Sequence, residues 1–380
     1  MKLAVYGLGK LGYPLFNVLN HTFPGDVMGV DPAFDGAQPM PNEPGLDLIN
    51  ERAEAFSQYP VAADVSFIVV PTPSLSKGDQ RGGFDPAFVE TALRQIRNVN
   101  KLRGGRLQKP IAVIVSTLSP GTCSELDTRF HTLDIVYNPT FIALGNVVKG
   151  LTAPDLLLSG GEDDVAVRTV ENIWTAVFNK YGSRKPFFHR GTYTEIELIK
   201  LSVNAALGTK ISLANSLGQL FEAYGVDPSA VEIVGKDPRI GTAYFKPGSP
   251  ISGPCLPRDN RALQFAATKV GLNLPLAHAT DRVNWMVLDR LYERVMEHKP
   301  KTVGIVGMSY KYGSTVTDDA PGPWLEKTLL NREGITCHTY DDLLGGDTRA
   351  AHSADVVVLM QKQYNSNYEV KNRAVIKLWS

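Results

Sequence analysis

The chain has 380 residues, and its 39 Lys plus Arg balance its 39 Asp plus Glu, so the formal net charge is zero. A chain of this length favours two or three domains over one small core. The balanced charge argues against a protein whose main task is nucleic-acid binding, which requires a basic surface. Three cysteines far apart in sequence predict neither a disulfide framework nor a structural zinc site.

No apolar run approaches the roughly 20 residues that span a bilayer, so no membrane association is expected. Met1 leads directly into an apolar strand, without the pattern of a signal peptide. Together with the sparse cysteines, these features predict a cytoplasmic protein.

Strand and helix patterns alternate through the first half of the chain. Residues 2–6 are a short apolar run that ends at Gly7, which is typical of a buried parallel strand. Four more runs of this kind precede short polar loops, at 26–31, 65–70, 110–115 and 134–137. The alternation predicts a doubly wound α/β sheet whose ligands lie at the carboxyl ends of the strands.

From Tyr193 to about Tyr224 apolar residues recur at helical spacing, which predicts a helix roughly 45 Å long. Such a helix is interpreted as a spine that joins two domains and forms a dimer surface; a plain core helix is the alternative. Residues 303–307 then repeat the strand-to-glycine pattern of the N-terminal region. The predicted fold is α/β: two Rossmann-like doubly wound domains joined by a long central helix in a helical middle domain. The boundaries expected are 1–190, 191–295 and 296–380.

Gly7, Gly9 and Gly12 follow the first strand and open a helix, and Asp31 ends the second strand. In a dinucleotide-binding turn the first glycine permits the tight turn and the second lets the backbone approach the pyrophosphate. The third lets helix and strand pack closely. Asp31 would accept hydrogen bonds from the ribose hydroxyls, which favours NAD over NADP. An accidental glycine turn is the alternative.

Cys255 follows Gly253-Pro254 and precedes Pro257-Arg258-Asp259. A free cysteine is most often a small buried hydrophobe, and this is the prediction for Cys123 and Cys337. A cysteine at a helix start beside a guanidinium is instead typical of a reactive thiolate. A thiol nucleophile combined with a hydride acceptor would capture an aldehyde and oxidise it to an acid. On the residues alone, both interpretations of Cys255 stay open.

Lys200 and Asn204 are one helical turn apart, so they share a face. Lys200 is either a surface side chain with its stem on apolar neighbours or a stabiliser of oxygen charge. Arg239 and Lys246 lie beside tight turns, where cations bind phosphates or remain solvated.

Seven segments extend these patterns to a known family. They are residues 6–12, 42–46, 71–74, 116–122, 197–205, 237–241 and 253–259. With these motifs in this order, the chain resembles the UDP-glucose and GDP-mannose dehydrogenases, the nucleotide-sugar 6-dehydrogenases, over nearly its whole length.

The resemblance implies an enzyme that uses NAD and a nucleotide sugar and supplies sugar acids for polysaccharide biosynthesis. The residues implied to bind NAD are Gly7, Gly9, Lys10, Leu11, Gly12, Asp31, Pro71, Thr72 and Thr117. Those implied to bind the substrate are Thr140, Phe141, Lys200, Asn204, Arg239, Phe245, Lys246, Gly253 and Lys311.

The resemblance also implies the catalytic roles. Oxidation at C6 gives an aldehyde that Cys255 attacks, a second oxidation gives a thioester, and water releases the acid. Lys200 and Asn204 would stabilise oxygen charge, while Thr117 and Asp259 would position water. Arg239 would reach the substrate of the partner subunit in a homodimer.

The chain departs from the family pattern at four places. Thr140 stands where the family usually has a glutamate that serves thioester hydrolysis, and Leu144 replaces a further acid. In the third domain, Asp318 or Asp319 stands at the place of an arginine that contacts the cofactor pyrophosphate. Arg258 for the usual lysine is a milder change.

Loss of a general base commonly costs 10²–10⁴-fold in rate, so Thr140 bears on the second half-reaction. The leading hypothesis is full oxidation to the uronic acid. The alternatives are a relative that stops at the aldehyde or takes another alcohol, and a nucleotide-sugar-binding protein without turnover.

Overall fold

The computed structural model describes residues 1–33, 56–75, 82–101, 109–142, 145–367 and 374–378. The chain forms two compact units, Met1–Lys200 and Leu201–Ser380. The expected division into three domains stays a prediction. The motif at 42–46 and the departure at Leu144 lie outside the described residues.

The first unit contains an eight-stranded sheet. Its strands are β1 Leu3–Tyr6, β2 Val27–Val30, β3 Phe56–Ser57, β4 Val65–Ile68, β5 Ile111–Ile114, β6 Asp134–Tyr137, β7 Leu156–Gly160 and β8 Phe187–Gly191. They lie in the order β3-β2-β1-β4-β5-β6-β7-β8, and β6 and β7 are antiparallel while the other neighbours are parallel. The order reverses direction at β1, which is the switch point where doubly wound folds bind ligands.

Apolar cores cover both faces of this sheet, which is why its strands are continuously apolar. Leu3 and Val5 face one core, and Ala4 and Tyr6 face the other. The helices of this unit are α1 Gly12–Thr22, α2 Ala87–Lys101, α3 Thr122–Arg129, α4 Val147–Thr152 and α5 Asp164–Lys180.

The long helix predicted from Tyr193 is present as α6, Tyr193–Ala223, with 31 residues. It begins in the first unit and ends in the second. Its use as a dimer surface stays a prediction.

The second unit combines helices with a smaller sheet. Its elements are the 3₁₀ helices Pro228–Lys236 and Lys362–Asn367, the helices α7 Leu256–Lys269, α8 Pro275–Met296, α9 Pro321–Glu333 and α10 Thr348–Ser353, and the strands β9 Thr302–Val306, β10 Thr336–Asp341, β11 Gly345–Gly346, β12 Val356–Leu359 and β13 Ala374–Lys377. The sheet order is β11-β10-β9-β12-β13, so β9 has a parallel neighbour on each side, as β1 has. The predicted fold class, with a second Rossmann-like sheet, is confirmed.

No helix in the described parts of the chain combines the length and the apolar character needed to cross a membrane. Among the same residues, no group of three or more His, Cys, Asp or Glu side chains has an arrangement that could hold a metal ion.

Asn138 fixes the end of β6 from inside the core. Its Nδ2 donates to the carbonyl oxygen of Leu158 at 2.6 Å, and its Oδ1 accepts from Trp174 Nε1 at 2.7 Å. Asn138→Ala leaves both buried partners without their bonds, so we expect a loss of about 3 kcal/mol in the free energy of unfolding. Urea unfolding measures this loss. In the control Asn100→Ala, one helical-surface bond to Ile96 disappears, and an equal loss in both variants would contradict the prediction.

Candidate active site

The turn between β1 and α1 accepts only glycine at two positions. Gly7 has φ +89°, and a Cβ added there would lie 2.3 Å from the carbonyl oxygen of Val69. A Cβ at Gly12 would lie 1.8 Å from the carbonyl oxygen of Gly7. These glycines therefore serve the fold, as the sequence predicted for the tight turn and for helix–strand packing.

Gly9 is different, because a Cβ there would meet nothing within 4 Å. The folded chain itself does not require glycine at this position. The N-cap residue of α1, Leu11, makes no side-chain cap. The Tyr13 amide donates to the carbonyl of Gly9 at 3.0 Å, and Pro14 has no amide hydrogen, so an anion at this helix start would bind the amides that precede Tyr13. Open space beside helix-terminal amides fits the pyrophosphate of a dinucleotide.

Asp31 stands at the carboxyl end of β2, as predicted. Its Oδ2 accepts from the amide of Leu8 at 2.7 Å, and its Oδ1 accepts from the amide of Ala33 at 2.9 Å. The carboxylate thus holds the glycine turn in place. Each oxygen has further lone-pair capacity, so the predicted bond to ribose hydroxyls remains compatible with the fold.

Ser116 joins the loops that follow β4 and β5. Its Oγ accepts from the amide of Val70 at 3.0 Å and donates to the carbonyl of Val70 at 2.7 Å. The predicted cofactor residues Pro71 and Thr72 follow Val70, and Thr117 follows Ser116. Sequence reasoning did not identify this clamp, although a serine directly after a buried strand is the signal for it.

Lys200 is 7% exposed, which does not fit the surface lysine of the alternative interpretation. Its Nζ lies 4.9 Å from the centre of the Phe141 ring, a cation–π contact between two of the predicted substrate residues. Thr140 precedes Phe141 and is half-buried. A hydroxyl at Thr140 can donate or accept a hydrogen bond, but it does not take up a proton at neutral pH.

In the second unit, Cys255 is the exposed member of the three cysteines and is the N-cap residue of α7. Burial raises the pKa of the Cys123 thiol well above its ordinary value. Burial also raises the pKa of Cys337 to about 11. Cys123 is buried, as the sequence predicted, whereas Cys337 is half-buried. The raised pKa of each disfavours its thiolate, while the exposed Cys255 has the access that a nucleophile needs.

Asn204 and Asp259 form a buried pair. Asn204 Nδ2 donates to Asp259 Oδ2 at 2.6 Å, and both side chains are buried. The Asp259 amide donates to the carbonyl of Cys255 at 2.8 Å, so this carboxylate lies one helical turn beyond the thiol. Arg258 Nε lies 3.5 Å from Asp259 Oδ1. The Asn204 amide therefore holds the carboxylate, and the Arg258 guanidinium lies close enough to offset part of its charge.

The predicted substrate residues on the loops divide into two kinds. The exposed Arg239 guanidinium pairs with Asp237 at 2.7 Å, and Lys246 Nζ lies 3.4 Å from Glu232. Phe245 is 1% exposed and packs in a small core. A contact between substrate and Phe245 would therefore use its backbone, not its ring.

Gly253 and Lys311 both adjoin Tyr310. Gly253 has φ +83°, and a Cβ there would lie 2.5 Å from the Tyr310 ring. Lys311 Nζ lies 5.6 Å from the centre of the same ring. The Tyr310 ring thus leaves no room for a side chain at Gly253, in the loop before Cys255.

Asp318 and Asp319, which the sequence resemblance aligns with an arginine of the family, have different surroundings. The Asp318 carbonyl accepts from the amide of Gly253 at 3.0 Å. Asp319 has φ 45° and pairs with Arg261 at 2.8 Å. Arg261 offsets the negative charge of Asp319, a compensation that the sequence motif alone did not reveal.

Comparison with known proteins gives consistent matches. Residues 1–178 match the UDP-glucose/GDP-mannose dehydrogenase family, NAD binding domain, and residues 194–285 match the central domain of that family. UDP-glucose 6-dehydrogenase AglM of Haloferax volcanii is 31% identical over 351 residues, which are 84% of this chain and 77% of that protein. GDP-mannose 6-dehydrogenase of Pseudomonas aeruginosa is 25% identical over 361 residues, which are 87% of this chain and 79% of that protein.

The fold also matches a solved structure. A UDP-glucose dehydrogenase from the hyperthermophilic archaeon Pyrobaculum islandicum has a TM-score of 0.87 at 25% identity, over 100% of this chain and 94% of that chain.

Gly9→Ala tests the difference between the glycines. Because its Cβ enters open space, we expect a thermal unfolding midpoint close to that of the unsubstituted protein. The affinity for NAD should fall about tenfold or more, because the methyl group occupies the place of the pyrophosphate. Calorimetric titration measures the affinity. The control Gly12→Ala should be strongly destabilised, and unchanged NAD binding by Gly9→Ala would contradict the assignment.

Proposed function

The chain belongs to the UDP-glucose/GDP-mannose dehydrogenase family and is an NAD-dependent dehydrogenase, and from this premise we propose that it oxidises C6 of a nucleotide sugar to the uronic acid. UDP-glucose is the first substrate to test, with GDP-mannose the next, because the relatives named above act on these two. The product would be a sugar acid for polysaccharide assembly. The observation that carries the mechanism is the exposed thiol of Cys255 at the start of α7, one turn before the buried Asn204–Asp259 pair.

In the first unit, the residues at the carboxyl edge of the sheet would hold the cofactor. The α1 amides beside Gly9 would bind its pyrophosphate, and Asp31 would bind a ribose. Pro71, Thr72 and Thr117 would line the nicotinamide end. When bound, NAD⁺ accepts the hydride in each oxidation, so the alcohol-to-acid conversion consumes two NAD⁺ per substrate.

Lys200 would stabilise charge on the C6 oxygen of the sugar. As C6 loses a hydride, its hydroxyl oxygen loses a proton and becomes a carbonyl. A buried ammonium near that oxygen stabilises the negative charge that develops before the proton leaves. The contact with the Phe141 ring limits where the ammonium can move, which supports a fixed position for the charge.

Cys255 would carry the covalent steps. Its thiolate adds to the aldehyde carbon and forms a thiohemiacetal, whose carbon then loses the second hydride to give a thioester. Water attacks the thioester, the carbon–sulfur bond breaks, and the acid leaves with the thiol restored. Asp259, held by Asn204, would orient the water.

Thr140 supports a second candidate. A threonine cannot serve as the general base for water attack, so the thioester would hydrolyse slowly, or the reaction would stop at the aldehyde. Full oxidation is the first proposal because Cys255, Lys200, Asn204 and Asp259 are all present. A covalent nucleophile has no use in a reaction that ends at the aldehyde.

We also propose a homodimer. Large apolar side chains are exposed in and after the C-terminal half of α6: Leu213 and Leu220 lie on the helix, Tyr224 directly follows it, and Ile233 lies on the next 3₁₀ helix. An exposed apolar patch of this kind marks an interaction surface, and a second copy of the chain fits the expected spine. Arg239, also exposed, would then reach the substrate of the partner subunit.

The stoichiometry of NADH tests the proposed reaction. With limiting UDP-glucose or GDP-mannose and excess NAD⁺, we expect two NADH per sugar, measured by absorbance. Cys255→Ser should block the thioester step and leave at most one NADH per sugar. The control Cys337→Ser changes a protonated thiol and should keep two.

One NADH per sugar, with no effect of Cys255→Ser, would establish the aldehyde-forming alternative. Absence of NADH with every nucleotide sugar would favour the binding protein without turnover.

A further inference from the structure

We propose that Glu197 is a positioning residue for the oxidation: it fixes the segment 117–121, which carries Thr117, against the helical turn that carries Lys200. The inference rests on the proposed function, since it concerns two residues to which that function assigns roles. Glu197, Lys200 and the segment 117–121 all lie within the first unit.

Glu197 is in the first turns of α6 and its side chain is 0% exposed. Its Oε2 accepts from the amide of Gly121 at 2.6 Å, and its Oε1 accepts from the amide of Cys123 at 2.8 Å. Gly121 is the N-cap residue of α3, has φ +92° and offers no side-chain cap. A carboxyl group from a distant helix therefore caps α3, in place of the local serine, threonine or aspartate that usually does so.

The residues of this cap are close in sequence to Thr117 and Lys200, the two side chains with proposed functions. Glu197 precedes Lys200 by three residues, so the two lie on one face of α6 about one turn apart. Gly121 follows Thr117 by four residues, and the intervening Leu118 is buried. A shift of the carboxyl group would therefore move the Thr117 segment relative to Lys200.

The other end of the same segment is already fixed. Ser116 binds the backbone of Val70, and Ser119 Oγ accepts from the amide of Phe84 at 3.0 Å. These bonds hold the segment to the loops after β4, but they do not involve α6. Among the hydrogen bonds described here, those of Glu197 join this segment to α6.

The two amides of Gly121 and Cys123 both donate, so the side chain at position 197 must supply two hydrogen-bond acceptors. Both oxygens of a glutamate accept, whereas a glutamine would turn an NH₂ group toward one of the two amides, donor against donor. Burial raises the pKa of Glu197 to about 7, and the amides of Cys123 and Gly121 oppose that rise. The Cys123 thiol and the Glu125 carboxylate are the other titratable groups that act on it. Well above pH 7 the carboxylate form is present, and kinetic assays belong there.

The test is Glu197→Gln, assayed well above pH 7 with NAD⁺ and the nucleotide sugar that the unsubstituted protein oxidises. We expect kcat to fall at least about tenfold, because small displacements of reacting groups slow catalysis strongly. KM for both substrates should change less than about threefold. Glu197→Asp keeps the charge but cannot reach both amides, so it should lower kcat in the same way if Glu197→Gln folds poorly.

Glu171→Gln is the matched control, because Glu171 is also a buried glutamate of the first unit and binds Arg190 through both oxygens. It should lower the unfolding midpoint and leave kcat unchanged. If Glu197→Gln and Glu197→Asp keep the kcat of the unsubstituted protein, or lose activity only in proportion to unfolded protein as Glu171→Gln does, the positioning role is wrong. If the unsubstituted protein oxidises no nucleotide sugar, the proposed function fails, and this role fails with it.

Burial of Glu197 also predicts a pH dependence of stability. Its folded pKa of about 7 lies above the ordinary value of 4.5, so the folded state binds the proton more tightly. The stabilisation from this proton is full below pH 4.5 and is lost as pH rises through 7. Urea midpoints from pH 4.5 to 8 should therefore fall more for the unsubstituted protein than for Glu197→Gln. If the urea midpoints of the two proteins change equally with pH, the raised pKa of Glu197 is contradicted.

Discussion

The fold depends on one constraint at the carboxyl edge of the first sheet. The loops that follow the parallel strands lie outside the strand ladders, so their backbone amides need acceptors from other parts of the chain. An unpaired buried amide costs a large part of the stability of a domain. Here neighbouring elements supply the acceptors, so each loop is fixed by the next one. The pairs are Leu8 with Asp31, Val70 with Ser116, Leu118 with Tyr137, and Gly121 with Glu197. The predicted cofactor residues lie on these same loops, so the bonds that stabilise the fold also hold the site in advance of binding.

In the second unit, hydrogen bonds likewise fix the surroundings of Cys255. Cys255 is exposed, but its backbone carbonyl accepts from the amide of Asp259, whose carboxylate is held by Asn204. The thiol is thus exposed to solvent, while the backbone beside it is fixed by these bonds. In the proposed reaction, Thr140 cannot replace a general base, because a threonine hydroxyl does not take up a proton at neutral pH. We therefore propose that Thr140 determines how fast water would release the acid, and the NADH stoichiometry tests whether the acid forms.

Sequence reasoning succeeded where the cause is local. The steric demands of Gly7 and Gly12, the apolar runs of the buried strands and the periodicity of α6 are properties of neighbouring residues. It failed where the partner is distant in sequence: Ser116 acts on a loop 46 residues away, and Glu197 acts on an amide 76 residues away. The core position of Phe245 and the burial of Lys200 also depend on tertiary packing, which apolar neighbours in sequence do not specify. The pair of Asp319 with Arg261 was missed for the same reason.

The proposed mechanism requires Cys255 to become covalently attached to the oxidised sugar carbon. The most direct measurement is mass spectrometry of the acid-quenched protein after brief mixing with NAD⁺ and the nucleotide sugar that yields NADH, followed by peptide mapping. We expect a Cys255 peptide heavier by the mass of the substrate less four hydrogen atoms, which is the thioester, and no such peptide without NAD⁺. Because Thr140 should slow hydrolysis, this species should accumulate. Steady NADH production with an unmodified Cys255 peptide at every quench time would contradict the account.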